Sequence, residues 1–159
     1  MLWRGSKVDV SAGGLVVAAA VGIFLGSSAW TFRYAEGASY LSNDPRACVN
    51  CHIMRDQYDS WQKSPHHAVA TCSDCHVPHD LVGKYATKAA QGYRHSKAFT
   101  LQDFHEPIQI TPGDARVAAD NCVRCHEALV SEITAAGHGP GDGADCLRCH
   151  AGIGHGPRR

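Results

Sequence analysis

One apolar stretch near the N-terminus dominates the hydropathy pattern of this chain. From Val10 to Phe32 no residue is charged, and Asp9 and Arg33 bracket the run. A helix of that length, rising about 1.5 Å per residue, crosses a hydrocarbon core about 30 Å thick. The pattern predicts a transmembrane anchor over residues 10–32. A secretory signal cut near Ala29 is the alternative, but the apolar runs of cleaved signals span only about 7–15 residues.

The pattern after the anchor predicts short helices joined by extensive loops, with little β-structure. Asp80 predicts the N-cap of a helix that runs towards Phe99. Thr111 precedes a proline and predicts a second helix start, because proline is favoured at the first helical position. A short third helix is expected after His126, followed by a mobile loop over the glycine-rich residues 137–143. The expected fold class is therefore mainly α, with one compact domain after the anchor.

All eight cysteines fall into four Cys-x-x-Cys-His motifs. This is the attachment signature of c-type haem, in which two thiols hold one porphyrin and the adjacent histidine binds the iron. Structural zinc does not require a histidine after each pair, a disulfide within such a pair does little to brace a fold, and a thioredoxin-like pair occurs once. The sequence therefore predicts four covalent haem c groups, on Cys48, Cys51, Cys72, Cys75, Cys122, Cys125, Cys146 and Cys149.

The spacing of the motifs is regular. They begin at residues 48, 72, 122 and 146, so the two members of each pair start 24 residues apart. This regularity predicts two two-haem halves, about 40–100 and 111–159, within a domain that covers residues 33–159. Such spacing usually brings haems close enough for direct electron transfer.

The positions of the basic residues around the anchor predict its orientation. Arg4 and Lys7 precede the span, and positive residues favour the cytoplasmic side of a membrane. Haem is attached to thiols on the outer face of the bacterial inner membrane, which agrees with this orientation. We expect a cytoplasmic N-terminus over residues 1–9, a single pass through the inner membrane, and the haem domain in the periplasm.

The overall charge excludes one class of partner. The chain has 15 basic and 15 acidic residues and a formal net charge of zero. Nucleic-acid binding requires a clustered basic surface, and the sequence has none. The lipid bilayer is the partner that the composition does predict.

Histidine and methionine supply the candidate axial ligands. Four of the eleven histidines belong to the motifs, and low-spin haems take second ligands from the rest. Met54 follows His52 by two residues, and a thioether ligand would raise the potential of the first haem. The same methionine would also suit simple packing, and the residues alone leave this open. The histidines outside the motifs are His66, His67, His79, His95, His105, His138 and His155.

A polar stripe follows the second motif. Lys84, Lys88, Gln91 and His95 recur at helical spacing and so share one face of the predicted helix. Such a stripe is most often a solvated surface, and spacing alone favours that interpretation.

Taken together, these motifs resemble the NapC/NirT family of membrane tetrahaem quinol dehydrogenases. The resemblance lies in the anchor, the string Cys-x-x-Cys-His-Ile-Met, the second motif followed by Val77-Pro78-His79, and the ending from Cys149 to His155. Within this family the length and the first motif are most similar to the small quinol-oxidising subunits of cytochrome c nitrite reductase. The resemblance covers nearly the whole chain.

The resemblance implies ligands for each haem. Met54, rather than His52, would bind the first iron, and His95 could approach its other face. His76 would bind the second haem, whose opposite ligand could come from a partner subunit. The third haem would take His126 and His155, and the fourth His150 and His67. No role is implied for His66, His79, His105 or His138.

The resemblance also implies a function. Menaquinol or ubiquinol from the membrane pool would react beside Lys84, Lys88, Gln91 and His95, with His95 as proton acceptor and Lys88 holding a quinol oxygen. Electrons would then pass through four haems to a periplasmic multihaem nitrite reductase. A nitrate or trimethylamine N-oxide reductase is an alternative acceptor, and a soluble tetrahaem shuttle without a quinol site is a second alternative. A nitrite-reducing enzyme is disfavoured, because such enzymes mostly carry lysine in one motif.

Overall fold

The computed structural model describes residues 11–135 and 146–156, and every regular element within these ranges is helical. The predicted class, mainly α with extensive loops, is confirmed. Residues 1–9 and the predicted loop at 137–143, with His138, lie outside the described residues. The chain divides into two compact units, Met1–Ala38 and Ser39–Arg159, and both predicted two-haem halves fall within the second unit.

The first unit contains the predicted anchor as helix α1, Ala12–Tyr34. The Ser11 hydroxyl caps its N-terminus by accepting a hydrogen bond from the Gly14 N–H at 3.2 Å. Arg33 lies in the last turn, where a cation complements the helix dipole. An 18-residue stretch of α1 has a mean hydropathy of 1.9, and none of its residues is buried. It is the one helix among the described residues that is long and apolar enough to cross a membrane.

Short helices carry the region of the first two motifs. A 3-10 helix spans Gly37–Leu41, α2 spans Arg46–Val49, and a second 3-10 helix spans His52–Met54. Helix α3, Arg55–Gln62, and helix α4, Cys72–His76, follow. Thr71 and Asp74 form a capping box at the start of α4, which satisfies amide groups that a five-residue helix would otherwise leave unpaired.

Helix α5, Leu81–Leu101, confirms the long helix predicted after Asp80. The Asp80 carboxylate accepts a hydrogen bond from the Gly83 N–H at 2.7 Å. A Cβ atom at Gly83 would collide with that carboxylate in its present position, so a larger residue there would push the Asp80 side chain aside. The helix ends at Gln102, whose φ of 56° is left-handed.

Helix α6, Pro112–Ala135, confirms the predicted start after Thr111. The third haem motif lies inside it, and the backbone leaves helical geometry only at His126, with φ −106° and ψ 16°. The separate third helix predicted after His126 is thus the continuation of α6 beyond a kink. Helix α7, Cys146–Cys149, carries the fourth motif.

The apolar core of the described residues is small. Its buried members are Val77, Ala118 and Ala119, so that α4 and α6 meet through small side chains. Three polar side chains, Lys88, Gln91 and Asn121, are buried beside them. Buried polar groups are stable only when hydrogen-bonded. The hydrogen bonds of these three side chains therefore help to hold together the segments that carry the haem motifs.

Candidate haem-binding site

Local helical structure presents the thiols of the motifs. In α4 and α6 the two cysteines of each motif are three residues apart on a helix and so face the same side. None of the eight cysteines, all of which lie in the described ranges, is joined to another by a disulfide. Within the described ranges no group of His, Cys, Asp and Glu side chains is arranged to hold a bare metal ion, as a zinc site would require.

The thiols of successive motifs lie next to each other. Cys48 of the first motif hydrogen-bonds to Cys72 of the second, which lowers the pKa of Cys48 to about 7 and raises the pKa of Cys72. Burial raises the pKa of Cys75, and the neighbouring Cys122 raises it further. Porphyrins tethered to these sulfurs would therefore be neighbours in the order first, second, third.

Two pairs of histidine rings have a separation that suits one iron. The ring centroids of His76 and His155 are 5.9 Å apart, and those of His66 and His126 are 6.1 Å apart. Two imidazoles that bind one metal from opposite sides, each nitrogen at about 2 Å, have centroids about 6 Å apart. The residues present therefore fit haem iron.

The environment of one ring nitrogen in His155, and of one in His66, supports this fit. His155 Nδ1 lies 3.0 Å from the Gln57 carbonyl oxygen, so the carbonyl can hold the proton on Nδ1 and leave Nε2 for a metal. His66 Nδ1 is buried and has no hydrogen-bond partner among the residues that the structure describes. His66 therefore becomes a candidate ligand, a role that the sequence did not assign.

These contacts differ from the predicted ligand pairs, because the structure places His155 beside His76 and His66 beside His126. His126 with His155, and His150 with His67, stay predictions, and the structure offers His66 as a further candidate partner for His126. His67 packs edge-on against Trp61, with ring centroids 4.7 Å apart. That contact gives His67 a packing role in the same region.

The ligand of the first haem also stays a prediction. Met54 ends the 3-10 helix His52–Met54 and donates its backbone N–H to the Cys51 carbonyl at 2.9 Å. The Met54 side chain is half-buried, whereas His52 is exposed. Both side chains follow the first pair of thiols within three residues, so both are within reach of a porphyrin attached there.

The predicted polar stripe on α5 has two kinds of member. Lys88 and Gln91 are only 4% and 8% exposed, so the solvated-face interpretation is wrong for them. Lys84 is half-buried and His95 is exposed. Partial burial of the His95 ring lowers its pKa, and the charge of Arg94 lowers it further. Of the four, His95 is the one that the structure leaves exposed.

Lys88 ties three separate segments together. Its ammonium donates to the Tyr40 carbonyl at 3.1 Å, to the Ser42 carbonyl, and to the Ser73 hydroxyl at 3.3 Å. Burial lowers its pKa, but the three acceptors use all three ammonium donors. Lys88 thus holds the segment before the first motif against α4.

Gln91 is the centre of a second set of hydrogen bonds. It accepts from the Tyr40 hydroxyl at 3.2 Å and donates to the His76 carbonyl at 3.2 Å and to Asp114 at 3.1 Å. Arg94 forms an ion pair with the same Asp114 carboxylate at 2.8 Å. Burial raises the pKa of Tyr40 to about 12, so its hydroxyl stays a donor. The sequence pattern did not identify Tyr40, Arg94 or Asp114.

Asn121 is a further functional candidate that the sequence analysis missed. Its side-chain amide donates to the Cys75 carbonyl at 3.1 Å and to the Val77 carbonyl at 3.0 Å. In the sequence, the one feature that could have identified Asn121 is its position directly before Cys122.

Two other histidines without an assigned role are His79, which contacts neighbouring polar groups, and His105, which is exposed. His79 Nε2 lies 2.7 Å from Arg124 Nη2 in α6 and 3.2 Å from the Asp74 carbonyl oxygen in α4. One nitrogen cannot serve both contacts at once: unprotonated it accepts from Arg124, and protonated it donates to Asp74.

Comparisons with known proteins agree on one family. The model of the NapC/NirT cytochrome c family, N-terminal region, matches residues 9–158. The cytochrome c-type protein NrfH of Wolinella succinogenes is 39% identical over 97% of this chain and 90% of its own length. The cytochrome c nitrite reductase subunit NrfH of Nitratidesulfovibrio vulgaris is 31% identical over 76% of this chain and 72% of its own. The NapC protein of Escherichia coli K12 is 30% identical over 72% of this chain and 69% of its own.

One solved structure is similar along nearly the whole chain. The match is to a crystal structure of the cytochrome c nitrite reductase NrfHA complex bound to the HQNO inhibitor, with a TM-score of 0.63 and 26% identity. It covers 91% of this chain and 92% of the matched chain.

Proposed function

The chain belongs to the NapC/NirT cytochrome c family, and we propose that it is the membrane-anchored quinol dehydrogenase that supplies electrons to a periplasmic cytochrome c nitrite reductase. The observation that carries this proposal is the 39% identity to NrfH over 97% of the chain. The similarity to a chain of the NrfHA complex supports a multihaem nitrite reductase subunit as the partner. As a member of this family the chain binds haem c covalently and is anchored in a membrane.

The finer features of the proposal are four haems, quinol as the electron donor, and a periplasmic haem domain. The four motifs account for the haem number. The orientation follows from Arg4 and Lys7 before the anchor, because basic residues favour the cytoplasmic side. Release of two electrons and two protons by each quinol requires a proton acceptor close to the first haem.

Each haem, once bound, supplies a one-electron acceptor. The protein would hold these groups through the motif thiols and through Met54, His76, His126 and His150. His67, His155 and His66 are the candidate opposite ligands. His95 is proposed to accept a quinol proton on its exposed ring, and it is also a possible second ligand of the first iron.

The two lysines position the quinol, and Gln91 supports the structure around it. Lys84 offers a cation at the half-buried edge of α5. Lys88 can hold a quinol oxygen only by exchanging one of its acceptors, and the Ser73 hydroxyl at 3.3 Å is the most distant of the three. Gln91 keeps Tyr40 and His76 in place through its three hydrogen bonds.

Purification from native membranes tests the function. We expect the chain to co-purify with a multihaem nitrite reductase, and the complex to reduce nitrite with a quinol as electron donor. Recovery of the chain with a nitrate or trimethylamine N-oxide reductase instead would support the alternative acceptor. Recovery in the soluble fraction, without the anchor, would support the soluble shuttle.

A further inference from the structure

The end of the second haem motif is held by side-chain amides. The last carbonyl groups of a helix have no partner within the helix. In α4 the carbonyls of Cys75 and Val77 accept hydrogen bonds from Asn121, and that of His76 accepts one from Gln91. Three consecutive carbonyls are thereby fixed by two residues from α5 and α6.

Asn121 has a particular place in this arrangement. It is 7% exposed, and it directly precedes Cys122, the first thiol of the third motif. Ala118 and Ala119, which lie within the preceding turn of the same helix, are also buried. A single side chain thus joins the backbone of the second motif to the first thiol position of the third.

We propose that Asn121 is the positioning residue that fixes the second haem relative to the third. This inference rests on the proposed function, because it requires a haem on each of the two motifs. Electron transfer between haems depends on their separation and orientation, and each porphyrin moves with the thiols that hold it. A brace from the carbonyls of Cys75 and Val77 to the residue before Cys122 therefore sets the relation between the two groups.

The chemistry of the side chain explains why an amide is needed. A carboxamide nitrogen carries two N–H donors, and both are used here. Aspartate has the same size and no donor when ionised, so it would turn an oxygen towards two carbonyl oxygens. Alanine would leave both carbonyls buried without a partner.

The test compares Asn121→Asp and Asn121→Ala in the full-length, haem-loaded chain. Asp120→Ala is the matched control, because Asp120 is exposed and adjacent on the same helix. Peptide mass spectrometry counts haem at each motif, and electron paramagnetic resonance with redox titration measures the magnetic interaction between neighbouring haems. We expect both Asn121 variants to lose or alter the interaction between the second and third haems, and the control to match the wild type.

The outcomes distinguish a failure of this proposal from a failure of the proposed function. Haem loss confined to the second and third motifs would also support the brace. An unchanged spectrum in both variants, or equal haem loss at all four motifs, would overturn it. A wild-type protein without four haems would instead refute the proposed function.

Discussion

The two longest helices outside the third haem motif differ in which side chains are exposed and which are buried. Helix α1 has no buried residue, and its apolar side chains are exposed along its length. Helix α5 buries Lys88 and Gln91, whereas Val82 is 79% exposed and Tyr93 is 72% exposed. Helix α1 suits an environment that is apolar on all sides, and α5 is held by polar contacts on its inner face.

This comparison shows which features of a helix are determined by its own residues and which depend on contacts with distant segments. The character of α1 follows from its own residues, because lipid is a uniform apolar solvent. The burial of Lys88 and Gln91 depends on Tyr40, Ser73 and Asp114, which are distant in the sequence. Spacing alone cannot distinguish a solvated stripe from a buried one.

The largest effect is expected from removal of α1. A chain that begins at Ser39 behind a cleavable signal should keep its haems, since the motifs lie in the second unit. It should lose nearly all oxidation of membrane quinol, because the donor is confined to the bilayer. Haem reduction by membrane quinol and by a soluble reductant would be compared. Quinol oxidation at the wild-type rate by the released domain would contradict the role of the anchor.

The second prediction concerns the exposed end of the α5 stripe. His95→Ala should lower quinol turnover about 100-fold, the lower range for loss of a general base. The free energy of unfolding should change by less than about 0.5 kcal/mol, because His95 is exposed. Ser96→Ala, at the next exposed position, is the control for both measurements. Equal turnover in the two variants would remove His95 from the mechanism.

The third prediction concerns the buried part of the stripe. Lys88→Met leaves two carbonyls and a hydroxyl without their donor and should lower the free energy of unfolding by about 1–3 kcal/mol. Lys97→Met breaks only the exposed ion pair with Asp103 and should cost less than about 1 kcal/mol. Denaturant unfolding of the haem-loaded proteins measures both values. An equal loss of unfolding free energy in the two variants would show that the buried Lys88 contributes no more to stability than the exposed Lys97.

The smallest effect is a pH dependence. Partial burial of Asp114 favours a raised pKa, but hydrogen bonds from Thr111, Gln91 and Arg94 outweigh it, and the pKa is lowered. Its stabilising contribution is therefore present above the unfolded value, about 4, and is lost as the pH falls through the lower folded value. Asp114→Asn should give a flatter profile of unfolding free energy against pH below about 4. A profile parallel to the wild type would contradict this.

The sequence was sufficient for features with a local cause. Asp80 and Thr111 mark the starts of α5 and α6 because capping and proline preferences act within one turn. The amide contacts of Asn121 depend on residues brought together by the fold. The contacts of His66 with His126 and of His155 with His76 likewise join segments 60 and 79 residues apart, beyond the reach of a periodic pattern.

The central claim is that each of the four motifs holds a haem through two thioether bonds. Intact-mass spectrometry of the mature protein from membranes tests it most directly. We predict the mass of the polypeptide with its anchor plus four haem groups. A mass with fewer than four, or with unmodified cysteine thiols in any motif, would contradict the account.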